Sequence, residues 1–213
     1  MAETTTPIHA TDIIAQPGTI WQHLRPAWAE SFGGHALAIA GGIALITIGA
    51  YISVPNPMGV PTTLQTLAVM LVAMCLGSRL GIAAVASYLT LGIAGAPVFS
   101  PSTLHISLTA GFLGGFLVAA FVTGSLAERG WDRSLWRSMI AMLAGGLTVL
   151  VCGWAYLAVG GAAFGLALND DSAAISVSSA LGLFVAPFIL IEIIKSIVGG
   201  VLLPAARKVI RSS

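Results

Sequence analysis

This sequence is short of charge. Its 213 residues include nine Lys or Arg and eight Asp or Glu, 8% of the chain, where a soluble domain carries about 25%. Too few charges exist to cover a water-facing surface. With 57% hydrophobic residues and a mean hydropathy of +0.96, the chain reads as a polytopic membrane protein. The formal net charge of +1 matters less than where the charges stand, and no nucleic-acid partner is expected.

Cysteine is scarcer still. Cys75 and Cys152 lie in separate apolar runs, with no CxxC and no Cys/His cluster, so both read as packed small hydrophobes. His9, His23, His35 and His105 share no metal-ligand spacing. No metal and no cofactor is expected. The chain has no GxxxxGK[ST] phosphate loop, so it is not expected to hydrolyse ATP itself. It also has no HExxH, Ser/His or paired-Asp constellation, which argues against an enzyme. The first thirty residues are mixed polar, with Glu3 and Asp12 and no apolar core, so no cleavable leader is expected.

Apolar runs are what the chain has in plenty. They fall at 36–53, 64–77, 80–95, 108–126, 138–160 and 180–203. Most approach the ~20 residues that cross a bilayer as a helix, and the second is short. The expected fold is therefore an all-α membrane bundle of six transmembrane helices, or five if 64–95 is read differently. Residues 1–34 form a tail, 35–206 the transmembrane domain and 207–213 a basic tail. Within the first tail, Trp21, Leu24, Trp28 and Phe32 recur at helical spacing. That suits a short interfacial helix; an irregular tail fits nearly as well.

The basic residues give the orientation. Arg25, Arg79, Arg129, Arg133, Arg137, Arg207, Lys208 and Arg211 all fall on one side of a six-span topology. The loops at 54–63, 96–107 and 161–179 hold no Lys or Arg. Under the positive-inside rule both termini are cytoplasmic. The outer loops, "SVPNPMGVP", "GAPVFSPSTLHIS" and "GGAAFGLALNDDSAAISVSS", are Pro-, Gly- or Ser-rich. They read as lids over an outward pocket, or as plain connectors. Small residues recur on two spans. Gly111 and Gly115 make a GxxxG suited to internal packing, and Ala36, Ala40 and Ala44 make a stripe suited to packing or to a partner.

The ninth basic residue is the exception. Lys195 stands with Glu192 inside "APFILIEIIKSIVGG" (186–200). A charge at the bilayer centre costs about 2.5–3.5 kcal/mol on insertion scales. At i and i+3 the two share a helix face and can pair, which permits them without explaining them. Pro187 suits a first turn, so the pair is expected near the outer end, facing a cavity where it receives a small ligand; a purely structural ion pair is the alternative.

Several stretches together resemble one family: "PTTLQTL" (61–67), "YLTLGIAGAPVF" (88–99), "GFLGGFLVAAFVTG" (111–124), "LAERG" (126–130) and "PFILIEIIKS" (187–196). In this order and spacing they are similar to the BioY biotin transporters, the substrate-binding (S) components of energy-coupling-factor (ECF) transporters. The resemblance implies a six-helix bundle that binds biotin from outside and delivers it inward, in the bacterial cytoplasmic (inner) membrane. It implies a lysine and an acid in the last helix that contact ligand, mapping onto Lys195 and Glu192. The family usually has Asp at the latter position. A Gly-rich run commonly follows "PVF", where this chain reads "SPSTLHIS", and the usual Tyr of "GYLxGF" is Phe112 here.

Biotin's chemistry suits these residues. Its carboxylate calls for a cation, which Lys195 offers. Its ureido ring offers N–H donors to Glu192, with Gln65 or the Ser/Thr residues of 100–109 completing the set. Phe99, Phe112 or Trp154 would wall the bicyclic ring. Which end of biotin meets which residue stays open at this stage. The resemblance also implies docking on an ECF coupling protein and ATP-binding subunits through Ala36, Ala40 and Ala44. The three departures keep another small carboxylate vitamin, or a biotin precursor, as an alternative. A proton-coupled carrier using Glu192 is a further one, weakened by the lack of inverted repeats.

Overall fold

A computed structural model describes residues 19–21, 31–54, 62–101, 106–160 and 186–212. Among the described residues six helices make up almost the whole fold. They are α1 (Phe32–Tyr51), α2 (Gln65–Leu76), α3 (Ser78–Ile93), α4 (Ile106–Glu128), α5 (Leu135–Ala155) and α6 (Ala186–Ser212). Four of them are long and apolar enough to cross a membrane; α2 and α3 are shorter apolar helices. A 3₁₀ turn at Trp131–Arg133 precedes α5, and a π turn at Tyr156–Gly160 extends it. Strands β1 (Ser53–Val54) and β2 (Thr62–Thr63) pair antiparallel, Ser53 with Thr63, at the foot of the first outer loop. The remainder of that loop, and residues 102–105 and 161–179 of the other two, lie outside the described residues, as do Leu24 and Trp28.

Packing follows the small residues. Ser31 caps α1, its hydroxyl accepting from the Gly34 N–H at 3.0 Å. One face of α1, with Gly34, Ala38, Gly42, Ile46 and Gly49, is buried. A Cβ at Gly42 would come within 3.0 Å of both Ala84 on α3 and Val72 on α2, so the backbone approaches both helices. The opposite stripe, Ala36, Ala40 and Ala44, is exposed. Between α2 and α3 stands Gly77 alone, at φ +87°, a conformation a side chain would strain. Helix α4 packs on α2, α3 and α5, and α6 packs on α5 and reaches α2. Gly115 meets Val149 and Cys152, and Gly111 meets Tyr156, so the GxxxG serves the α4–α5 contact.

Four threonine hydroxyls inside the spans are satisfied locally. Thr47, Thr90, Thr123 and Thr148 each donate to the carbonyl four residues back, at 2.7–2.8 Å. In a bilayer no water replaces such a bond.

The described basic residues other than Lys195 gather at one end of the bundle, where α2 meets α3 and α4 meets α5. That end is closed by polar contacts. Glu128 accepts from the Ser78 N–H at 2.7 Å and its hydroxyl at 2.8 Å, tying α4 to the start of α3. Helix α6 does not stop near residue 203. It runs on through Pro204, which gives up one backbone bond, and brings Arg207 to the buried Asp132 beside α5. Burial pushes the Asp132 carboxyl up, against the opposing pull of Arg207. Thr19 and Ile20 are buried at this same end, Ile20 against Met74, Ala127 and Leu203.

Candidate functional site

Among the described residues the other end of the bundle is free of Lys and Arg, and the candidate site lies just inside this base-free end. Helix α2 has 12 residues, about 18 Å, against a hydrocarbon core of about 30 Å. Its first turn therefore starts below the ends of its longer neighbours. Helix α6 starts at Ala186, which puts Glu192 about 9 Å and Lys195 about 14 Å down its axis. The two levels meet. Thr66 of α2 donates to Glu192 Oε1 at 3.0 Å and accepts from Lys195 Nζ at 2.6 Å. Lys195 Nζ also donates to the same Oε1 at 2.8 Å. Three groups thus close a ring of hydrogen bonds around one carboxylate oxygen.

This ring is dry. Glu192 and Lys195 are 2% and 3% exposed, so each charge depends on the other. Yet the ring is not complete. Glu192 Oε2 is buried with no partner among the described residues. An ammonium carries three hydrogens, and among the described residues Lys195 spends two, on Thr66 Oγ1 and Glu192 Oε1. One acceptor and one donor therefore remain, side by side. Opposite them, α5 presents Gly146. A Cβ there would come 2.7 Å from Glu192 Oε2, so the carboxylate lies directly against the α5 backbone.

Gln65, one residue before Thr66, faces another way. Its Nε2 donates to the Tyr88 hydroxyl at 2.9 Å, which donates on to the Val98 carbonyl at 3.0 Å. Phe99 stands edge-on to Tyr88, ring centroids 5.4 Å apart, with its ring over Gly92. Phe112 fills the space over Gly153, and with Trp154 and Tyr156 it packs around the buried Leu157. Gly153 is seven residues beyond Gly146, on the same face of α5 and about 10 Å nearer the base-free end. Phe112 also packs on the cluster that holds Tyr88 and takes in Phe99.

Of the residues expected from sequence, the fold joins Glu192 to Lys195 directly. It does not join Gln65 to them: Gln65 adjoins Thr66 in sequence but turns to Tyr88, which links it to Phe99, and Phe112 and Trp154 fall in one aromatic group. Thr66, Tyr88 and Gly146 were not foreseen. Thr66 had a readable signal, because it stands in "PTTLQTL" beside Gln65 at the head of an apolar run. In the same motif the buried Thr62 hydroxyl has no partner among the described residues.

The chain is similar to known proteins over most of its length. A family model described as "BioY family" matches residues 27–212. "Biotin transporter BioY2" of Lactococcus lactis subsp. cremoris is 36% identical over 162 residues, 75% of this chain and 82% of that protein. "Biotin transporter BioY" of Rhodobacter capsulatus is 35% identical over 165 residues, 73% of this chain and 83% of that protein. The fold is similar to a crystal structure of the S component for biotin from an ECF-type ABC transporter. That match has a TM-score of 0.60 at 24% identity, over 82% of this chain and 90% of the other. Six apolar helices, a buried charged pair near one end and a family match over nearly all of the chain lead to one conclusion: this is a multi-pass integral membrane protein that belongs to the BioY family.

Proposed function

We propose that this protein is a biotin-binding S component, taking biotin from outside at the Glu192–Lys195–Thr66 ring and passing it inward with ECF energising subunits. The observation that carries this reading is the incomplete ring: a buried, charge-balanced pair with one acceptor and one donor left over among the described residues. Biotin's ureido group is neutral and presents an N–H beside a carbonyl. The N–H fits Glu192 Oε2, and the carbonyl fits the remaining Lys195 hydrogen. A carboxylate at the same spot would bring a second anion against Glu192 in a dry site. We therefore place the ureido ring, not the valerate carboxylate, at Lys195. The carboxylate then points toward the base-free end, and Phe99, Phe112 and Trp154 with Gln65 form the walls above.

Orientation and partners complete the proposal. The basic end faces the cytoplasm of a bacterium, so the protein sits in the inner membrane with both termini inside. Ala36, Ala40 and Ala44 are exposed along α1, a smooth face on which a coupling protein's helices can pack closely. With no phosphate loop in the sequence, energy comes from separate ATP-binding subunits. Biotin-transporting relatives favour biotin over another vitamin and over a proton-coupled carrier.

The test is a titration of purified protein with biotin, with its methyl ester, and with biotin methylated on both ureido nitrogens. The ester should bind within about tenfold of biotin, and the N-methylated ligand at least about a hundredfold more weakly. The reverse order would put the carboxylate at Lys195.

A further inference from the structure

Glu192 has one oxygen held by two donors and one held by none, and its surroundings explain which is which. Oε1 is pinned by Thr66 from α2 and Lys195 from its own helix. That leaves Oε2 turned to α5, where only the missing side chain of Gly146 makes room for it. A flexible carboxylate could ordinarily swing away from a new methyl group. This one cannot without breaking its bonds to Thr66 and Lys195. Thr66 is also unlike the threonines at 47, 90, 123 and 148. They donate within their own helices, whereas Thr66 reaches across to α6.

We propose that Thr66 and Gly146 are positioning residues for specificity: Thr66 holds Oε1 and Gly146 admits Oε2, so that the site presents one fixed, unsatisfied acceptor to a ligand N–H. The inference rests on the biotin reading above and deepens it. A site built around an unpaired acceptor rejects a ligand that lacks the donor far more strongly than an apolar pocket rejects a methylene. The reach of the acid and the size of the residue at 146 are then coupled. A side chain at 146 demands a shorter acid at 192.

The experiment is a double-mutant cycle on the purified full chain, with biotin and doubly N-methylated biotin as ligands. Gly146→Ala and Glu192→Asp should each weaken biotin binding at least about tenfold, and the double variant should lie within about threefold of Glu192→Asp alone. Independent residues would instead multiply, to about a hundredfold. The preference for biotin over the N-methylated ligand should fall at least about tenfold in Gly146→Ala, because a positioning role governs the ratio. A lower affinity with an unchanged ratio, or multiplied effects, would overturn the proposal. If Gly146→Ala fails to fold, the pair Thr66→Val and Thr66→Ser decides. Valine should lose both affinity and preference, serine should keep them, and equal behaviour would count against the proposal. A wild-type protein that binds no biotin overturns the reading beneath. The same cycle, read as the melting temperature of ligand-free protein, then decides the coupling of 146 and 192 by itself.

Discussion

Helix α6 carries two buried ion pairs, and they differ in every respect that matters. Lys195–Glu192 is local, i to i+3 on one helix, and sits just inside the base-free end. Arg207–Asp132 joins residues 75 apart and ties the end of α6 to the turn before α5. The second pair fastens elements that would otherwise part. The first fastens nothing that one helix does not already hold, apart from its bond to Thr66. A buried pair with so little to join is weak as a structural device, since apolar residues of similar size are often as stable. Its use lies in what it presents. On the proposed function, the contrast separates an ion pair kept for the fold from one kept for a ligand.

Replacing both members of the local pair should break the comparison most sharply. Glu192→Leu with Lys195→Met should abolish biotin binding while the melting temperature in detergent stays within a few degrees of wild type. Unfolding of that variant would make the pair structural after all. The second largest effect is expected at the other pair. Arg207→Ala leaves Asp132 buried without its cation and should cost about 3 kcal/mol of stability, read by chemical denaturation. Its biotin affinity should stay within about threefold of wild type. Next, Ala40→Trp should spare binding and cut uptake in cells at least about tenfold, separating capture from delivery. Unchanged uptake would point to another docking face or to action without partners. The smallest effect is at Gln65. Gln65→Leu leaves the Tyr88 hydroxyl its bond to Val98 and should weaken biotin binding about fivefold, the worth of one neutral hydrogen bond.

Much of this architecture is legible in the sequence because the bilayer makes hydropathy and charge decisive. Six apolar runs become six helices, and the short second run becomes the short α2. Lys195 and Glu192 announce themselves, since two charges in "PFILIEIIKS" are costly in an apolar run even when they pair. Thr66 does not. Threonine is common in spans and usually bonds its own helix, as four others here do, so only the packing of α2 on α6 singles it out. Gly146 is hidden for a similar reason. It is one of 25 glycines, and nothing local marks the one that faces a carboxylate. Arg207 looks like part of a basic tail. Its partner is 75 residues away, and only the continuation of α6 past Pro204 brings the two together. Local patterns are visible in the chain, and contacts between distant helices wait for the fold.

One measurement bears on the central claim most directly: equilibrium titration of the purified protein, wild type and Lys195→Ala, with biotin and with thiamine. Wild-type protein should bind one biotin per chain saturably, Lys195→Ala should bind it at least about a hundredfold more weakly, and neither should bind thiamine. Biotin binding that survives Lys195→Ala unchanged, or thiamine bound in place of biotin, would contradict that claim.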